Sequence, residues 1–98
     1  MKDKKVIWIT GASSGIGRAL AIKFANEGWI VAASARRENL LQELNEINKN
    51  IYSFPLDVTN NEQCKIVFKN IIEEFKDIEI SIFGTGIHDP KSEKEFNL

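Results

Sequence analysis

A glycine-rich stretch near the start of the chain is the first pattern whose residue types and spacing could do chemistry. The sequence TGASSGIG follows a short apolar run, and its glycines, Gly11, Gly15 and Gly17, have the spacing Gly-x3-Gly-x-Gly. Glycine permits a tight turn and lets a phosphate approach the backbone, and a helix start offers unpaired N–H groups and partial positive charge. Ser13 and Ser14 add hydroxyl donors. The alternatives are an anion-binding loop and a purely structural strand-to-helix turn; a P-loop is excluded because no Gly-Lys-Ser/Thr follows.

The elements that must position this loop alternate regularly along the chain. Apolar, β-branched runs predict buried strands, and apolar residues at helical spacing predict helices. The predicted strands cover Lys5–Thr10, Trp29–Ser34, Ile51–Leu56 and Ile78–Phe83; the predicted helices cover Gly15–Glu27 and Glu38–Lys49, and a third follows the capping-box pattern Thr59–Glu62. The β-α-β-α-β-α-β order predicts an α/β fold, a doubly wound parallel sheet with helices on both faces. Ligands bind beyond the carboxyl ends of such strands.

The apolar positions also predict which residues lie in the core. In the first helix Ile16, Leu20 and Phe24 are spaced by four and should share one face. Trp8 and Trp29 are expected in strands, as core residues.

The quoted motifs carry a family resemblance. TGASSGIG between a strand and a helix resembles the short-chain dehydrogenase/reductase family, which binds NAD(P)(H) through Thr-Gly-x3-Gly-x-Gly. Further on, Ser34-Ala35-Arg36-Arg37 resembles the segment that faces the adenosine ribose, and Leu56-Asp57-Val58 resembles the Asp-Val pair at the adenine. The resemblance covers essentially the whole chain. It implies a Rossmann-like sheet of about four strands in the order 3-2-1-4, with residues 1–98 as the NAD(P)-binding, N-terminal part of a longer, here apparently truncated, fold.

The resemblance also implies an activity and a set of contacts. The family transfers a hydride between a nicotinamide cofactor and a carbonyl or alcohol substrate, and the full-length protein is expected to be a homo-oligomer. The implied cofactor-binding residues are Gly11, Ser13, Ser14, Gly15, Ile16, Gly17, Arg36, Arg37, Asp57, Val58, Gly84 and Gly86. Asp57 would accept from the adenine amino group, and the alternative is that it caps the next turn.

The residues after the second strand indicate which dinucleotide is preferred. An acidic residue there would hydrogen-bond the ribose 2′-hydroxyl, whereas an arginine accommodates a 2′-phosphate. The matching position is Ala35, and Arg36 and Arg37 follow it. Because positive charge is unfavourable at a helix start, a bound anion explains the pair better than two solvated arginines do. We therefore predict NADP(H) over NAD(H), with Arg36 as the first contact.

The second half of the chain departs from the family pattern. Where the family has Asn-Asn-Ala-Gly after the fourth strand, this chain has Phe83-Gly84-Thr85-Gly86. Asn97 resembles the family asparagine that helps hold a water in the proton relay, if the intervening segment is shortened; otherwise it is an ordinary polar residue. The single tyrosine, Tyr52, is followed four residues later by Leu56, so the chain contains no Tyr-x3-Lys.

The missing catalytic pair leads to three expectations. We do not expect the 98-residue chain to be catalytically competent alone. The outer edge of the fourth strand should be unpaired. Apolar surface should be exposed near Ile80 and Ile82, on the face opposite the first two helices.

Composition excludes several other classes. Lysine and arginine total 13 and aspartate and glutamate 14, a net charge of -1 that gives no basic excess for nucleic acid. No run approaches the roughly 18 apolar residues of a membrane-spanning helix. A single cysteine, Cys64, excludes an internal disulfide and a cysteine-based zinc site, so we expect no metal and a cytoplasmic location. Two alternatives remain open, a non-catalytic dinucleotide-binding module and a flavodoxin-like domain with a fortuitous glycine loop.

Overall fold

Five strands and three helices make up the fold in a computed structural model that describes residues 4–13, 15–83 and 86–88. In chain order they are β1 (Val6–Thr10), α1 (Gly15–Asn26), β2 (Ile30–Ser34), α2 (Glu38–Ile47), β3 (Ile51–Ser53), α3 (Asn61–Phe75), β4 (Ile80–Phe83) and β5 (Gly86–His88). Each predicted element is present, with ends that lie inside or near the predicted ones.

The strands form one sheet in the order β3-β2-β1-β4-β5. β1 pairs in parallel with β2 and β4, and β2 with β3, so the predicted four-stranded parallel order 3-2-1-4 is confirmed. The predicted free edge of β4 is wrong, because β5 pairs with it antiparallel from Ser81↔His88 to Phe83↔Gly86. The two strands are separated by only two residues, a length that permits a hairpin but not the crossover that parallel pairing requires.

The core lies on both faces of the sheet, and β1 contributes to each. Ile7 and Ile9 join one cluster with buried residues of α1 and α2, including Leu41 and Leu44. Val6 and Trp8 join the opposite cluster, which includes Val67 and Ile71 of α3. This arrangement follows from the alternation of side chains along a strand, and it confirms the prediction of helices on both faces.

The expected position of Ile80 and Ile82 is wrong. Both side chains are partly buried and pack against the cluster under α1 and α2, not on the opposite face. Ile80 is aligned with Ile7 and Ile82 with Ile9. Aligned residues of neighbouring parallel strands point to the same side, so the two isoleucines must share the face of their partners.

Only part of the predicted apolar face of α1 is buried. Ile16 is 80% exposed, while the buried residues are Ala21 and Ala25 and the flanking Leu20 and Phe24 are partly buried. Small residues four apart let the helix lie close to the sheet, whereas Ile16 belongs to the first turn, which follows the glycine loop.

The two tryptophans occupy different settings. Trp8 is 1% exposed within β1, as predicted for a core residue. Trp29 lies just before β2 and is only partly buried, so its predicted place in a strand is wrong. Its ring packs edge-on against Phe24 at a centroid distance of 5.0 Å.

Candidate functional site

A cavity of about 570 Å³ opens where β1, β2 and β3 end. Its volume falls within the range of small-molecule sites. Segments that follow three different strands line it: Gly11 and Ser13 after β1; Ala35, Arg36, Arg37 and Leu40 after β2; and Leu56, Asp57, Val58 and Thr59 after β3. Six of the predicted site residues, far apart in the sequence, are therefore brought together at the carboxyl edge of the sheet.

The glycine loop forms one wall of this cavity and packs against the start of α1. Gly11 has φ +69°, a left-handed conformation that favours glycine. A Cβ on Gly17 would collide with the carbonyl oxygen of Gly11, and it would lie 2.9 Å from the carbonyl carbon of the same residue. Only glycine allows this close approach of the loop and the helix. The first turn of α1 contains no acidic residue, so the helix start retains its attraction for an anion.

The segment after β2 brings positive charge to the cavity. Ala35 is buried, whereas Arg36 and Arg37 are exposed and line the cavity. Within the described part of the chain, neither guanidinium forms a salt bridge. Arg37 is also the N-cap residue of α2, and its side chain makes no capping hydrogen bond. Two cations and an uncapped helix start therefore lie side by side, an arrangement suited to an anionic group.

Asp57 is held in a tight turn at the opposite wall. Its Oδ1 accepts from the backbone N–H of Thr59 at 3.0 Å and from the Thr59 hydroxyl at 2.7 Å. These two hydrogen bonds, and to a smaller extent the positive charge of Arg36, hold the pKa of the Asp57 carboxyl below its ordinary value. The carboxylate therefore does cap a turn, and among the described residues no hydrogen bond reaches its second oxygen, Oδ2.

The start of α3 supports this turn from behind. The N-cap residue is Asn60, whose side chain accepts from Gln63 N at 3.1 Å, so the predicted capping box beginning at Thr59 is wrong and the cap lies one residue later. The Gln63 side chain in turn accepts from the backbone N–H of Asp57 at 3.0 Å. Sequence reasoning missed Gln63 and assigned Thr59 only to capping, although three possible cap residues in a row after Asp57 signalled a structured turn.

The other predicted residues do not line the cavity. Gly15 and Ile16 lie with Gly17 in the first turn of α1, and Gly86 lies in β5, beyond β4 from the cavity. Ser14, Gly84 and Asn97 lie outside the described residues.

The described residues meet the requirements neither of a metal site nor of a membrane-spanning helix. In residues 4–13, 15–83 and 86–88 no group of three or more His, Cys, Asp or Glu is placed to hold a metal ion. No helix in these ranges is long and apolar enough to cross a membrane.

The fold and this site together define a Rossmann-like α/β protein. Residues 5–98 match the model of the short chain dehydrogenase family, and the chain belongs to that family. A serine 3-dehydrogenase of Rhizobium radiobacter is 35% identical over 82 residues, which are 83% of this chain and 33% of that protein.

Solved structures show the same likeness. A short-chain dehydrogenase from Streptomyces avermitilis matches 84% of this chain and 30% of its own, with a TM-score of 0.80 and 30% identity. A short-chain dehydrogenase/reductase from Burkholderia phymatum, solved in complex with NAD, matches 82% of this chain and 30% of its own, with a TM-score of 0.76 and 28% identity. The chain spans a quarter to a third of the length of the curated relatives that it matches first.

Proposed function

We propose that this chain is the NADP(H)-binding portion of a short-chain oxidoreductase that interconverts a carbonyl and an alcohol. The observation that carries the proposal is the cavity, in which the glycine loop, the two arginines and Asp57 meet although their segments are separate in sequence. Gly17 lets α1 pack directly against the glycine loop, so the helix start lies beside the cavity wall that Gly11 and Ser13 form. When bound, the nicotinamide cofactor supplies the hydride.

Each wall of the cavity would hold a different part of the dinucleotide. The glycine loop and the N–H groups at the start of α1 would bind the pyrophosphate, with Ser13 as a hydroxyl donor. Asp57 and Val58 would hold the adenine, one through an acceptor oxygen and the other as an apolar surface. Arg36 and Arg37 would bind the phosphate on the ribose.

The preference for NADP(H) over NAD(H) rests on the charges at the end of β2. Ala35, where an acidic side chain would bind a 2′-hydroxyl, offers no acceptor. Arg36 and Arg37 are exposed, lie at the cavity and form no salt bridge among the described residues. A 2′-phosphate would give the two guanidiniums a directly bonded counter-charge, which neither Asp57 nor the first-turn residue Glu38 provides.

Calorimetric titration of NADP(H) and NAD(H) tests the proposal. The wild-type chain is expected to bind NADP(H) more tightly, and Arg36→Ala should weaken NADP(H) binding by about 10- to 100-fold, the value of a charge-assisted hydrogen bond. NAD(H) binding should change little. Lys23→Ala, which removes an exposed charge from α1 and a surface ion pair with Glu27, is the matched control. Equal affinity of the wild type for both dinucleotides would disprove the preference.

A second candidate, dinucleotide binding without catalysis, is favoured by the place of the only tyrosine. Tyr52 lies in β3, is 37% exposed and packs against Phe75 at a ring-centroid distance of 5.1 Å. The fourth residue after it is Leu56 rather than a lysine, so Tyr52 cannot supply the acid–base pair of the family next to a bound nicotinamide. Since neither candidate predicts turnover by the 98-residue chain alone, the assay measures NADPH oxidation with a panel of carbonyl compounds by the chain joined to the remainder of the family fold. A non-catalytic module would still bind NADPH there without turnover.

The proposal extends to the context of the chain. We expect residues 1–98 to act as the NAD(P)-binding part of a longer family fold, in the cytoplasm and as a homo-oligomer when joined to the remainder. Its substrates would be small carbonyl or alcohol compounds, with Asn97 as a candidate participant in the proton relay.

A further inference from the structure

The turn that carries Asp57 is tied to the start of α3 by an unusually complete set of hydrogen bonds. The Asp57 N–H donates to Gln63 Oε1 at 3.0 Å, and its carbonyl oxygen accepts from the Asn60 N–H at 2.9 Å. Its Oδ1 accepts twice from Thr59. Among the described residues, every polar atom of Asp57 except Oδ2 therefore has a partner.

We infer that Gln63 and Thr59 are positioning residues. They fix Asp57 so that a single carboxylate oxygen accepts a hydrogen bond from the amino group of the bound base. The inference rests on the proposed function and adds a base-selecting role to it. Asp57 lines the cavity, and an ionised carboxylate can only accept hydrogen bonds. Because the backbone of Asp57 is fixed and, among the described residues, only Oδ2 is free, the carboxylate can accept a hydrogen bond only from a donor at one position in the cavity.

Gln63 is suited to this role because it links the turn to a rigid element. Its own backbone N–H is held by the Asn60 side chain at 3.1 Å, in the first turn of the 15-residue helix α3. The side chain is exposed and contributes nothing to the buried core. Its hydrogen bond to Asp57 therefore acts on the turn rather than on the stability of the sheet.

The recognised feature would be the donor at position 6 of the purine. Adenine has an amino group there, whereas hypoxanthine has a carbonyl oxygen, which a carboxylate oxygen would face without a hydrogen bond. The ratio of the two affinities reports on this edge of the base, because effects common to both ligands cancel. The edge comprises the group at position 6 and the neighbouring N1, which carries a proton only in hypoxanthine.

The test compares the dissociation constants of NADP and nicotinamide hypoxanthine dinucleotide phosphate by calorimetry. The wild-type chain is expected to prefer NADP by about tenfold or more, the value of a hydrogen bond to a charged group. Gln63→Ala should reduce the preference to about threefold or less, and Gln63→Glu, which keeps an acceptor oxygen at the same reach, should restore it. Gln42→Ala is the matched control, because Gln42 lies exposed on α2 and, among the described residues, its side chain bonds only to Glu38.

Thr59→Val provides a second variant that keeps the shape of the side chain and removes its hydroxyl donor. It should lower the same ratio, while melting temperatures of all variants show that each is folded. Binding of NADP with an unchanged preference in both Gln63→Ala and Thr59→Val would overturn the inference and leave the proposed function standing, as would a wild type without preference. A folded wild type that binds neither dinucleotide would overturn both.

Discussion

Replacement of Gly17 by alanine tests the packing of the glycine loop against α1. In the interior of a helix this substitution normally stabilises a protein, by about 1 kcal/mol. Here the added Cβ would meet the Gly11 carbonyl group and lie 3.3 Å from Ala12 Cα. Both neighbours are backbone, so no side-chain rotation can relieve the contact, and the loop and the helix must move apart. We therefore expect the opposite sign.

The magnitude follows from the two opposing effects. Overpacking costs about 1–3 kcal/mol, and the upper part of that range applies because the collision is with backbone. The helix-propensity gain is at most about 1 kcal/mol, because Gly17 lies in the first turn of α1, so subtracting it leaves a net loss of at least about 1–2 kcal/mol. For a chain of this size, that loss corresponds to a fall in melting temperature of about 5–15 °C.

The assay is thermal unfolding followed by circular dichroism, combined with calorimetric titration of NADP(H). Gly28→Ala is the matched control, because Gly28 has φ +94° but no heavy atom within 4 Å of the added Cβ. It should lose about 1–2 kcal/mol through backbone strain alone and retain NADP(H) affinity once folded. Gly17→Ala should lose both stability and affinity. A Gly17→Ala chain that melts at or above the wild-type temperature would refute the reasoning.

Two further changes probe the core and the turn. Leu44→Ala empties a fully buried position under α2 and should lower the free energy of unfolding by about 2–5 kcal/mol in urea titration. Ile47→Ala, at the half-exposed end of the same helix, should lower it by under about 1 kcal/mol. Equal losses in the two variants would contradict the assigned core. Asp57→Asn tests the lowered pKa of that carboxyl: the ionised form stabilises the folded chain above the unfolded pKa of about 3.9, and the effect is lost as pH falls through the folded pKa. Between about pH 5 and pH 2, the melting temperature of the wild type should thus fall further than that of Asp57→Asn. Parallel curves of melting temperature against pH would show that the ionised Asp57 contributes nothing to stability.

The order of elements could be predicted because the apolar runs are separated by clear turn residues. Gly11 and Gly28 lie close to where β1 and α1 end, and the buried run from Val6 to Thr10 is the central strand. The position of the cavity followed from this order, since parallel strands bring their carboxyl ends to one edge.

The remaining differences have local physical causes. The burial of a helix face depends on where the helix lies relative to the sheet, and periodicity alone could not show that Ile16, in the first turn of α1, is exposed. Thr59, Asn60 and Asn61 are all competent cap residues, and the Asp57 turn, which uses Thr59, decides in favour of Asn60. The network centred on Gln63 involves an amide side chain that carries no sequence signature.

The division between the core and the cavity wall has a consequence for how this protein can change over evolutionary time. The side chains that stabilise the sheet lie in two apolar clusters, to which Arg36, Arg37 and Val58 do not belong. These three residues are exposed, so their replacement removes little buried surface. Mutation at this corner can therefore alter ligand preference at almost constant stability, and descendants of one scaffold can acquire different specificities without passing through poorly folded intermediates.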